Sequence, residues 1–71
     1  MTIPSAFYLT VHQTAEGFWR SAMRTRAWGR DEPWAYGSFQ HLDRRQAERE
    51  ARLWAGLEGY RYVPPAEAGQ P

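Results

Sequence analysis

Apolar and polar positions alternate first over residues 7–14, where Phe7, Leu9 and Val11 interleave with Tyr8, Thr10 and His12. That is the period of a half-buried strand. Thr14, Ala15, Glu16 and Gly17 follow as a hairpin turn, with Gly17 supplying a positive φ. A second strand is expected over 18–26. One of its faces carries Trp19, Ser21, Met23 and Thr25, the other Phe18, Arg20, Ala22, Arg24 and Arg26. Three arginines have no place in a thin apolar core, so the Trp19/Met23 face is expected to point inward.

Residues 27–33 read as a polar connecting loop, and a third strand is expected over 34–40. Taking Phe39 as its core residue puts Ala35 and Gly37 inward and Trp34, Tyr36 and Ser38 outward. Small inward residues would let a helix approach the sheet closely. That helix begins after Asp43, a good N-cap, with Gln46 placed for a capping box and Leu42 for a staple onto Ala47. Its expected apolar stripe is Ala47, Ala51, Trp54 and Leu57. Gly59 is the expected C′ residue, with Gly56 second. The segment 60–63 has the pattern of a short fourth strand, which Pro64 and Pro65 would stop.

The expected fold is therefore α+β: a three-stranded antiparallel sheet, with a short fourth strand if 60–63 joins it. One C-terminal helix packs on one face. Residues 1–6 read as an N-terminal extension, 7–63 as a single domain and 64–71 as a disordered tail. The other face of the sheet would be open to solvent.

Length and composition narrow the function. A chain of 71 residues buries only about 60% of its unfolded surface. It has no cysteine, so packing by its eleven aromatic residues must hold it. His12 and His41 are too few for a zinc site without carboxylates. No Gly-rich phosphate loop, HExxH, cysteine nucleophile or serine elbow occurs, and no catalytic, cofactor or metal residue is assigned. Asp31 and Glu32 read as solvated turn residues. No apolar run reaches membrane-span length. The first nine residues lack the basic start of a signal peptide, so a cytoplasmic location is expected.

Net charge is only +1, carried by nine arginines and no lysine. Residues 1–30 hold +3 and residues 31–71 hold −2. Any basic surface therefore belongs to the first half. Alternation assigns Tyr8, Thr10, His12, Arg20, Arg24, Arg26, Trp34 and Tyr36 to the open face. Guanidinium groups pair bidentately with phosphates or guanine edges, and aromatic rings stack on bases. Tyr8, His12, Arg20, Arg24, Arg26, Trp34 and Tyr36 are the candidate binding residues, with duplex DNA as the first expected partner.

The stretch GFWRSAMRTRAWGRDEPWAYGSFQHLDRRQAEREARLWA resembles the arm-type N-terminal DNA-binding domain of phage tyrosine recombinases. It is also similar in plan to the plant ethylene-response DNA-binding domain. The shared features are Gly17-Phe18-Trp19 at the hairpin, Arg20, Arg24 and Arg26 on the second strand, an aromatic third strand, and a helix charged before its first alanine. The resemblance spans roughly residues 7–58. It implies DNA binding by the sheet, with Arg20, Arg24, Arg26 and Trp34 at matching positions. Two features depart from it: no recombinase catalytic domain lies in these residues, and the net charge is low for such a module.

The rival expectation is a protein-directed inhibitor encoded by a phage or mobile element. It would resemble anti-CRISPR proteins and use the same Arg, Trp and Tyr surface on a host protein complex. Homodimerisation through an edge strand or the Trp34/Tyr36 patch fits either reading.

Overall fold

The computed structural model describes residues 6–26 and 32–65. The N-terminal extension before Ala6, most of the 27–33 loop and the tail from Ala66 lie outside them. Five elements follow in order: β1 (Phe7–Gln13), β2 (Trp19–Thr25), β3 (Glu32–Tyr36), α1 (Arg44–Glu58) and β4 (Arg61–Tyr62). The strands form one mixed sheet in the order β3-β2-β1-β4, with α1 packed on one face.

The β1–β2 hairpin follows the expected pattern. Leu9 lies opposite Met23, Val11 opposite Ser21 and Tyr8 opposite Arg24. Gly17 turns the chain at φ 94°, and its N–H donates to Thr14 O at 3.0 Å. Leu9 and Val11 are buried against Ala47, Ala51 and Ala55 of the helix, with Trp19, Met23, Trp54, Tyr60 and Tyr62 packed around them. The Trp19/Met23 face of β2 thus points to the helix.

Helix α1 is closed at both ends by its own sequence. The Asp43 carboxylate accepts from Arg45 N at 3.0 Å. Gly59 ends the helix at φ 79°, and Tyr60 N–H returns to Ala55 O at 2.8 Å. This is the left-handed C′ geometry that favours glycine. After the turn, β4 pairs parallel with β1 and sets Arg61 beside Tyr8 and Tyr62 beside Leu9. Val63 N–H donates to Leu9 O at 2.7 Å, so the 60–63 segment does join the sheet.

Four packing expectations are corrected. The buried helix stripe is Ala47, Ala51 and Ala55, whereas Leu57 is 78% exposed. Phe39 is 68% exposed rather than core, because β3 ends at Tyr36 and the chain leaves the sheet before reaching it. Leu42 is 83% exposed, so no staple forms onto fully buried Ala47. The fourth concerns Trp34. The β2–β3 register shifts by one residue, with Met23 opposite Ala35 but Arg24 opposite Pro33. Trp34 is the extra residue of this bulge, which breaks the two-residue period. Its ring meets Phe7 edge-on at 5.4 Å. Phe7 shares the helix-side face with Leu9, so Trp34 is turned away from the open face.

Candidate nucleic-acid interface

The open face is built from alternate residues of all four strands. Tyr8, Thr10 and His12 come from β1, and Arg20, Ala22 and Arg24 from β2. Pro33 and Tyr36 come from β3, and Arg61 from β4. Arg26 extends the row, its guanidinium carbon lying 4.5 Å from the centre of the Tyr8 ring.

This face has a floor and a rim. Tyr8, Thr10 and Ala22 are buried on it. Tyr8 is only 1% exposed, so it presents a cation-supporting ring rather than a free stacking surface. The Thr10 hydroxyl is buried without a hydrogen-bond partner. Above the floor stand His12, the arginines and Tyr36. The His12 and Tyr36 rings lie 5.5 Å apart.

Arg20 is held from two sides. Its Nε and Nη2 donate to Gly37 O at 3.2 and 2.7 Å, and its guanidinium carbon lies 5.2 Å from the Tyr36 ring centre. Both contacts are to uncharged groups, so the positive charge is oriented without being neutralised. A guanidinium fixed this way forfeits less side-chain entropy when it meets a phosphate.

The charges divide between the two sides of the sheet. The charged strand residues of the open face are Arg20, Arg24 and Arg61, and no acidic residue among the described strand positions shares it. The described acids lie elsewhere. Glu16 is in the hairpin turn, Glu32 follows the helix-side row of Thr25, and Asp43, Glu48, Glu50 and Glu58 belong to α1 or its cap. Arg61 is the residue that sequence reasoning missed. Its signal was the short 60–63 strand, and only its parallel pairing with β1 fixes which face it joins.

Of the seven candidate residues, the structure gathers His12, Arg20, Arg24, Arg26 and Tyr36 on one surface with Tyr8 beneath them. Trp34 is not brought to it.

The helix side holds a second feature. The packing contacts of α1 are with β1, β2 and β4, so β3 projects beside it and leaves a trough of about 370 Å³. Phe39, Leu53, Trp54 and Leu57 form its apolar walls, with Ser21, Gly37 and Glu50 at its base. Ser21 Oγ donates to Glu50 Oε2 at 2.8 Å, and His41 Nε2 lies 3.4 Å from the same oxygen. With the carboxylate in the middle, the serine is clasped by an acceptor and does not face a histidine base. A Cβ at Gly37 would collide with Ser21 Oγ, which is why glycine stands there.

No helix among the described residues is long and apolar enough to cross a membrane. The fold and surface define a small sheet-plus-helix module with a cationic face. Comparison with known proteins finds no family model, no curated relative and no solved structure that matches the chain.

Proposed function

We propose that this chain is a non-enzymatic DNA-binding module that grips duplex DNA with the open face of its sheet. The observation that supports it is the separation of charge across the sheet. Arg20, Arg24, Arg26 and Arg61 stand on one side, and the described acids of β3 and α1 stand on the other. The net charge of +1 is an average over two unlike surfaces, and a polyanion meets only one of them.

The arginines supply phosphate contacts, and Tyr36, 40% exposed beside Arg20, supplies a flat surface at the rim. A sheet of this width enters a major groove much as a two-stranded ribbon does. Four phosphate contacts release counterions in proportion. Affinity for a random duplex is expected to fall about a hundredfold between about 50 and 200 mM salt. A gel shift or fluorescence anisotropy titration across that range tests this. Replacing Arg20 and Arg24 together by Ala should abolish binding at the higher salt while circular dichroism is unchanged. Absence of binding at low salt would overturn the proposal.

A further inference from the structure

Helix α1 carries a second stripe that the sheet does not use. Leu53 and Leu57 stand one turn apart along the trough, both left to solvent. The same line runs back at helical spacing through Arg49 and Gln46, and Leu42, 83% exposed, precedes the extended N-cap residue Asp43 beyond its end. The Arg49 guanidinium has no hydrogen-bond or ion-pair partner among the described residues. Glu50 directs Oε2 to Ser21 and His41, while Oε1 has no partner among the described residues.

We propose that this flank is a dimerisation surface whose occupant is α1 of a second copy. The two helices pack antiparallel about a two-fold axis passing between Arg49 and Glu50. That axis sets Arg49 of each copy opposite Glu50 of the other, Gln46 opposite Leu53, and Leu42 opposite Leu57. Complementary charges meet twice at the centre, and one pair of leucines, Leu42 with Leu57, meets at each end. An isologous interface requires this self-complementarity. A parallel pair would set Arg49 against Arg49 and Glu50 against Glu50, a repulsion that selects the antiparallel register.

The sheet edges offer no comparable route. Pro33 lacks an N–H and the bulge at Trp34 disrupts the outer edge of β3, the two devices that block strand addition. At the opposite edge, β4 is two residues long. Helix packing from the trough side is what remains, and it would cover Leu42, Leu53 and Leu57 together.

Sedimentation equilibrium without DNA tests this independently of the DNA reading. The wild-type chain is expected to dimerise reversibly between about 10 µM and about 1 mM. Leu42→Lys and Leu57→Asp, both at exposed positions, should each be monomeric with an unchanged circular dichroism spectrum. Mixing them in equal amounts should restore a dimer, because the introduced ammonium and carboxylate then face each other across the interface. Should either variant fail to fold, Arg49→Glu reads the same contact and must weaken the dimer at least about tenfold. A wild-type chain monomeric throughout, single variants that still dimerise, or a mixture that stays monomeric would each overturn the proposal. The first would leave the trough to another protein.

Discussion

Tyr62 shows how one side chain couples packing to pH. Its ring lies beneath Arg52, whose guanidinium carbon is 4.6 Å from the ring centre, and its hydroxyl is buried without a hydrogen-bond partner. Burial, and then the nearby Glu48 carboxylate, push its pKa above the ordinary tyrosine value, against the opposing effect of Arg44 and Arg52. The folded state therefore holds the phenol proton more tightly than the unfolded state does. Tyr62 contributes no pH dependence below the ordinary tyrosine pKa of about 10, and stability falls as pH rises above it toward the folded value. Tyr62→Phe removes both the titration and an unpartnered buried hydroxyl. It is expected to be at least as stable as wild type at neutral pH and to lose less stability above about pH 10. Urea unfolding at two pH values measures this, and an equal alkaline loss in the variant would show that the hydroxyl is not confined.

At the scale of elements, the helix–sheet contact is a ladder of alanines. Ala47, Ala51 and Ala55 are buried against Leu9 and Val11, so the helix contributes only methyl groups to this contact. Ala51→Leu keeps helix propensity but overfills this contact, and should destabilise by about 1–3 kcal/mol. Leu57→Ala removes a larger, apolar side chain from an exposed position and should change stability by less than about 0.5 kcal/mol. Chemical denaturation of both variants well below about 10 µM, where the chain is expected to be monomeric, decides which stripe is core. If Leu57→Ala cost more than Ala51→Leu, the packing described above would be wrong. The sequence pattern contained Ala47, Ala51 and Trp54, which packs against the same cluster, but took Leu57 in place of Ala55, since size alone marks a core residue only when the facing surface leaves room. The alternation in β1 and β2 was legible because each strand keeps a strict two-residue period. In β3 it was not. Pro33 cannot donate to the ladder, the register slips beside it, and Trp34 is carried to the helix side.

Over the whole molecule, the basic first half of the chain was readable as local charge, whereas the completed cationic face was not. Arg61 comes from the otherwise acidic second half and reaches the face only because α1 crosses the sheet and returns β4 beside β1. That placement separates two accounts of DNA affinity. If binding followed net charge, removing any one arginine or any one acid would shift it in proportion. If it follows the face, position decides. Arg61→Ala should then reduce the slope of log affinity against log salt by about 1 of the roughly 4 units expected from four arginines. Glu58→Gln raises the net charge by the same amount that Arg61→Ala lowers it, yet it lies at the end of α1 on the other side of the sheet and should leave the slope unchanged. Both are exposed and neither holds the core, so their melting temperatures should match wild type. A Glu58→Gln slope that rises as much as the Arg61→Ala slope falls would mean that the protein meets DNA as an unoriented charge, and the sheet face would lose its claim.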